Sequence, residues 1–459
     1  MAAVVVVAVT VPLVLGRGTG DGLGGVLSGA GVGGPRLPGE GEAAPEESAA
    51  RTVSYPQPPR NAWQFVARDL VPEADGEMSS WGGADTGTYF ATQNVIVIDG
   101  TWVVFAGGWT RSALAGLDGE TGVVRWSRDY GEAVGRNLQG CGSEPVDGAL
   151  ACVEVPFDSW SGEWAHGDVV VVRLDPETGE VLGEVVAPVW TQQAIVVDGD
   201  LVLGAYDWSA GRFVVQRMTS DGTVVWETER PYVPAEEDTQ GDGFFSMEVL
   251  GGGVVAASAG GYVDVDLADG SVLVEPARGW VTVLPQGLLA ASVGDTGVDV
   301  LDAEGTYLFS LDGYTTSPAI IEDPEDAPVF AYAYEQPLTA HAASDGALLW
   351  EGEETSYVTA VLGDTALVVS GDDSSQVSAL DLTTGTRRWA VSLGEYVSVI
   401  GWDGERVMVL AAGTLSALDV EDGTIVWQRQ VGEDLWSGLV VERQLVLYGA
   451  NGFTVQAAE

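Results

Sequence analysis

The chain contains no lysine. All 19 of its cationic side chains are arginines, set against 68 aspartates and glutamates for a formal charge of −49. Without lysine there is no Schiff-base nucleophile and no phosphate-cradling P-loop. An acid excess of this size repels nucleic acid and anionic lipid headgroups, which removes both as expected partners. It suits solubility in salt, and it also suits a cationic or basic partner. Histidine is nearly as scarce: His166 and His341 lie far apart, and neither stands beside a serine or cysteine in a nucleophile motif. His341 sits on an apolar stretch just before a turn, an ordinary place for a strand histidine. Apolar residues at helical spacing are also almost absent, which argues against helical bundles and solenoids.

Only two cysteines occur, Cys141 and Cys152, eleven residues apart across the turn sequence GSEPVDG. If the flanking runs pair as a hairpin, the sulfurs come into bonding range, and a disulfide there points to an oxidising compartment. The alternative is two unrelated buried thiols. Ala2 to Gly16 is uncharged and apolar almost throughout. That length falls short of the roughly 20 residues that span a bilayer, and no lysine or arginine precedes it as in an export signal. Residues 1–16 are therefore read as a membrane anchor or signal without its first turns. Residues 17–60, rich in Gly, Pro, Ala and Glu, read as a flexible linker, and 61–459 as one folded domain.

What the chain has in abundance is a repeat. An apolar strand is followed by an acidic turn ending in glycine, and often by tryptophan four residues later: LDGETGVVRW with Asp118, Gly122 and Trp126, LDLTTGTRRW with Asp381, Gly385 and Trp389, LDVEDGTIVW with Asp419, Gly423 and Trp427. Drifted copies carry Gly222 with Trp226 and Gly346 with Trp350, and weaker ones carry Gly179, Gly270 and Gly305. The turn glycines recur at a mean spacing of 43 residues, the size of a four-stranded propeller blade. The apolar runs between them are of strand length and mostly β-branched. Glycine supplies the positive φ of a tight turn, and the aspartate accepts backbone N–H bonds within it. An indole with one N–H donor suits a contact between neighbouring blades. Eight turns plus a three-stranded remainder at Leu439 to Ala457 predict an all-β, eight-bladed propeller, with seven to nine as the range. The segment Trp63 to Leu70 would supply the missing outer strand, so that the N- and C-terminal strands close the ring. A miscounted unit is expected in the stretch 264 to 312.

The pattern A-L-D-x-x-T-G-x-x-x-W, best seen from Ala379 to Trp389 and Ala417 to Trp427, resembles the tryptophan-docking repeat of the pyrroloquinoline-quinone-type (quinoprotein) propellers. The resemblance covers about residues 90 to 459 and implies fold more than activity, since many members are non-catalytic scaffolds. The enzymes of that family hold quinone and calcium on the propeller axis with a catalytic aspartate, Glu and Asn ligands and an adjacent cysteine pair. None of these can be placed on a matching motif here. An assembly lipoprotein of the outer membrane uses its propeller to hold a partner, but its lipobox cysteine has no counterpart, so that role is not carried over.

Other candidate sites are few. Asp264, Asp266 and Asp269 in DVDLADG approach a calcium loop, but the spacing has one residue too many and no glutamate stands at the twelfth position. Turn duty explains all but Asp264. The acidic stretches Glu236 to Asp242 and Glu322 to Asp326 read as solvated turns, and no metal site is assigned. Trp160, Trp164 and His166 in DSWSGEWAHG form an aromatic loop that suits a sugar or peptide, or covers a blade edge. The expectation is an extracytoplasmic propeller, tethered to the cell membrane through its N-terminal segment only. It would hold a protein or glycan partner without cofactor or catalysis; the alternative is a quinone- and calcium-dependent alcohol or sugar dehydrogenase.

Overall fold

The computed structural model describes residues 52–71 and, with short breaks between strands and longer ones at 157–168 and 232–244, residues 95–458. Apart from one helical turn at Ala67–Leu70, the regular structure is β-strand. Within each unit four strands pair antiparallel as a meander; Ile320–Ile321, after the first strand of the unit 314–351, instead adds in parallel to Ser356–Leu362 of the next unit, and the last unit takes its fourth strand from Arg60–Val66. Eight hydrogen-bonded sheets result. One of them has eight strands, because residues 95–131 and 136–186 are two meanders joined through the single pair Gly131 and Arg136. Numbered along the chain, the four-stranded units, or blades, are 95–131, 136–186, 193–231, 245–278, 281–312, 314–351, 356–392, 398–430 and a last one built from 435–457 together with 60–66. These nine units lie at the upper end of the expected range. The stretch 264–312 hides no miscounted unit, since it contains the complete fifth blade, with strands Val281–Leu284, Leu288–Val293, Gly297–Leu301 and Tyr307–Asp312.

The ring is visible in the core. Each of nine apolar clusters among the described residues joins two successive blades, and the last joins blade 9 to blade 1 through Phe65, Leu439 and Phe453 on one side and Val95, Trp102 and Val104 on the other. Alternating residues of each strand face opposite neighbours, so strands buried on both faces read as continuous apolar runs, such as Thr365–Ser370. Closure uses the N-terminal segment. Arg60–Val66 pairs antiparallel with Gly452–Ala457 and becomes the outermost strand of blade 9.

The segment before that strand is packed, so the folded chain starts earlier than residue 61, inside the stretch read as linker. Thr52 and Val53 donate backbone bonds to Trp402 and Arg443 carbonyls. The Tyr55 side chain is fully buried, its hydroxyl donating to Gln456 O and accepting from Leu445 N. Residues 1–51 lie outside the described residues.

A β-bulge in the pairing of the third and outermost strands recurs in every blade, for example between Ala379 and Leu380 opposite Arg387 to Trp389. The extra residue re-aims the strand, so that the side chain four positions after the turn glycine points at the next blade. Trp389 shows the result: its indole lies against Gly423 of blade 8 and its Nε1–H donates to Val420 O at 2.9 Å. Gly423 has φ +72°, and a Cβ there would come within 2.6 Å of the Trp389 ring. Trp389→Ala is expected to lower stability by about 3–5 kcal/mol, and Gly423→Ala to destabilise through both clash and backbone strain. Denaturant unfolding checks this; a loss under about 1 kcal/mol for either variant contradicts it.

Candidate functional site

The repeat residues come together as a ring of contacts at one end of the strands. Trp126, Trp226, Trp350 and Trp389 lie over Gly179, Gly270, Gly385 and Gly423 of the following blades. Their indole N–H groups donate to the carbonyls of Pro176, Leu267, Leu382 and Val420, in each case three residues before the glycine, at 2.7–3.0 Å. Blade 9 has no third turn of its own, and Trp427 docks instead on Tyr55 O at 2.7 Å. Trp63, on the closing strand, completes the circle over Gly122 and donates to Gly119 O. Sequence reading missed Trp63 and Tyr55 as docking partners because they lie outside the repeat.

The turns that receive no aromatic ring from the preceding blade differ in length from the rest. In six turns the glycine N–H bonds four residues back, as Gly385 to Asp381, which leaves the carbonyl three residues before the glycine free for an indole. In the turns of Gly222 and Gly305 the bond spans only three residues, to Thr219 and Asp302, so that same carbonyl is already used. These two turns face Val185 and Val274, not an aromatic ring. Short turn and missing indole therefore go together, at the seams between blades 2 and 3 and between blades 4 and 5. The register shows what replaces the ring. Small residues stand opposite most of the tryptophans, as Gly116 opposite Trp126 and Ala379 opposite Trp389. At the two exceptional seams the pairs are Arg173 with Gly183 and Asp264 with Val274. The Arg173 guanidinium donates to Ser220 O of the next turn in place of an indole.

Turn chemistry is electrostatic as well. Asp118 Oδ1 accepts from the N–H groups of Glu120 and Thr121, while Arg125 bonds Oδ2 at 2.7 Å. The Arg125 bond, followed by those from Thr121, holds the Asp118 carboxyl down to about 2. Arg388 does the same for Asp381, also held at about 2, while pairing with Asp364. Asp266 and Asp269 accept from Ala268 and Ser271 N–H groups, so they serve their own turn. His341 is satisfied locally by Gly346 O and Thr339 Oγ1. Arg128 and Tyr130 converge on the buried Glu154 of blade 2, whose Oε1 accepts from both. Burial, with the Glu154 charge second, raises the Tyr130 hydroxyl far above its ordinary range.

Cys141 and Cys152 face each other in register on paired strands of blade 2 and form a disulfide. Trp160, Trp164 and His166, and the acidic stretches 236–242 and 322–326, lie outside the described residues. Among the described residues, no three His, Cys, Asp or Glu side chains converge as metal ligands. No described helix is long and apolar enough to cross a membrane. Pairs of aliphatic side chains are exposed on the outermost strands or at their start: Val123 and Val124, Val181 and Leu182, Val224 and Val225, Leu348 and Leu349, Ile425 and Val426. Sequence reading missed this rim; its signal is the two aliphatics standing between six of the eight turn glycines and the residue four positions on.

Two outcomes are expected. Asp381 contributes stability above its ordinary value of 3.8 that is lost as pH falls through about 2. Asp381→Asn should therefore flatten the stability profile between pH 4 and pH 2 in denaturant titrations; an unchanged acid limb contradicts the Arg388 assignment. Reduction of the disulfide is expected to cost about 3 kcal/mol for a loop of this length, read as a lower unfolding midpoint under reductant and refuted by an unchanged one.

The family profile described as "Outer membrane protein assembly factor BamB" matches residues 287–391 and 334–458. Among solved structures, BamB from Moraxella catarrhalis is similar at 18% identity and a TM-score of 0.43, covering 79% of this chain and 95% of that one. A europium-containing methanol dehydrogenase is similar at 14% identity and 0.44, covering 86% and 85%. The computationally designed Ika8 protein is similar at 12% identity and 0.43, covering 86% and 99%. No curated protein sequence matches. The repeats of residues 287–458 thus match that family's PQQ-like profile, and the ring to which they belong is a β-propeller.

Proposed function

We propose that this chain is an extracytoplasmic, membrane-tethered propeller that holds a protein partner and carries out no reaction of its own. The observation that carries the reading is the rim. Isolated exposed aliphatics are ordinary on any protein surface, but here adjacent pairs recur at equivalent positions in four blades, Val181 and Leu182, Val224 and Val225, Leu348 and Leu349, Ile425 and Val426, with Val123 and Val124 one residue nearer the turn in blade 1. Repeated apolar patches framed by turn carboxylates such as Asp118, Asp345 and Asp419 match the make-up of a partner-binding surface, with an apolar centre and a polar border. Steering by the −49 charge favours a basic partner. The family whose profile matches residues 287–458 is described as an assembly factor, which supports a scaffolding role.

The disulfide of Cys141 and Cys152 supports an oxidising compartment. The apolar run from Ala2 to Gly16 supports attachment to a membrane on the side where the propeller folds. A photo-crosslinking residue at Leu348 or Val225, installed in the membrane-bound protein, is expected to trap a defined partner, and Leu348→Glu to abolish that product. Crosslinks that are absent or indifferent to the glutamate contradict the reading. So would stoichiometric binding of pyrroloquinoline quinone and calcium with dye reduction, the outcome expected of a dehydrogenase.

A further inference from the structure

The joint between blades 4 and 5 combines three features, of which the seam between blades 2 and 3 shares only the missing indole. Its apolar cluster is the thinnest, with five buried residues, Leu250, Val255, Tyr262, Leu289 and Ala291, where the closing seam has sixteen. It has no docking ring, since Val274 stands at the tryptophan position and meets the short turn of Gly305. And it buries acid. Asp264 is 0% exposed, and neither of its carboxyl oxygens makes a well-formed hydrogen bond. Glu248 lies on the same face of blade 4, since both acids flank Val255 in register, Glu248 opposite it on one side and Asp264 on the other. Its Oε2 is buried without a partner beside a cavity of about 10 Å³ that it lines with Val255, Ala257, Val281 and Val283. That space holds one water at most.

Among the described side chains, none near these acids offers a counter-charge. On the strands and turns of these blades, the described titratable side chains are otherwise acids and tyrosines: Tyr262, Asp266, Asp269 and Glu275 from blade 4 and Asp299, Asp302, Glu304, Tyr307 and Asp312 from blade 5. Asp266 and Glu304 act on Asp264 as like charges. A carboxylate shut away from water without a partner is costly, and the group responds by taking up a proton.

We propose that the seam between blades 4 and 5 is a proton-operated joint of the ring, closed while Asp264 and Glu248 are protonated and loosened when they ionise. Burial pushes Asp264 up to about 7, with the Val265 amide offsetting part of the rise, and pushes Glu248 up to about 8. The sign follows from proton linkage. Both groups bind protons more tightly in the closed seam than when exposed, so the stability they lend is fully present below their ordinary values of 3.8 and 4.5. It is lost as pH rises through about 7 to 8. The carboxylates of the docking turns, Asp118 and Asp381, act in the opposite sense and only near pH 2 to 4. The two effects therefore separate on the pH axis.

Hydrogen exchange of the full chain tests the joint. With intrinsic rates corrected, seam opening reported by Val281–Leu284 and Val272–Val274 is expected to rise about tenfold or more between pH 5.5 and 7.5. The same change should leave the Trp389 seam, reported by Arg387–Ser392, unaltered. Asp264→Asn with Glu248→Gln is expected to remove the pH response. A flat profile at the first seam, an equal rise at both, or a response that survives the double substitution overturns the proposal. If the double variant does not fold, the comparison of the two seams in the unaltered protein decides.

Discussion

One contact organises this molecule: an indole from the outer strand of one blade laid over a turn glycine of the next, with its N–H on a backbone carbonyl of that turn. It combines burial of a large flat side chain with satisfaction of a polar group that the turn leaves open. It also demands three things at once. The glycine must have no Cβ, the turn must be long enough to free its carbonyl, and the outer strand must carry a bulge to aim the ring. The chain meets all three wherever Trp126, Trp226, Trp350 and Trp389 occur. Where the turn loses a residue, at Gly222 and Gly305, the indole disappears with it. The ring is a set of unequal joints, with the most buried apolar residues where Trp63 of the N-terminal strand meets Trp102 and Phe453 edge to face and the fewest between blades 4 and 5.

Much of this was legible in the sequence because the docking contact is written locally. Asp381, Gly385 and Trp389 lie within nine residues, and their spacing alone predicts a turn, a strand and an outward-reaching ring. Even the short turns show: LDAEGT has one residue fewer than LDVEDGT. What the sequence hid is non-local. Tyr55 reads as linker, in a Pro- and Arg-bearing stretch, yet it stands in for a turn that blade 9 lacks and takes the Trp427 N–H. Nothing in its neighbourhood announces that, since its partners are about 370 residues away. Residue 264 is a similar case. As one of three aspartates in DVDLADG it looks like its companions, and only the register opposite Val274 sets it inside a seam while Asp266 and Asp269 cap their turn.

Function was less legible than fold for the same reason. Propeller repeats specify packing, and a partner is met by what the packing leaves outside. Four of the aliphatic pairs of the rim occupy positions that in blade 7 are Arg387 and Arg388, where the second arginine ties Asp364 to Asp381. One position of the repeat can thus serve turn chemistry or the surface, depending on the residue placed there. The acidic composition shapes how a partner approaches, while the apolar pairs determine where it is held.

The central claim is that indole N–H groups join successive blades. The most direct measurement is hydrogen exchange at the indole nitrogens themselves, in protein carrying ¹⁵N-tryptophan. The account predicts slow exchange at Trp63, Trp126, Trp226, Trp350, Trp389 and Trp427. Exchange of these six at the rate of a solvent-exposed indole would contradict it.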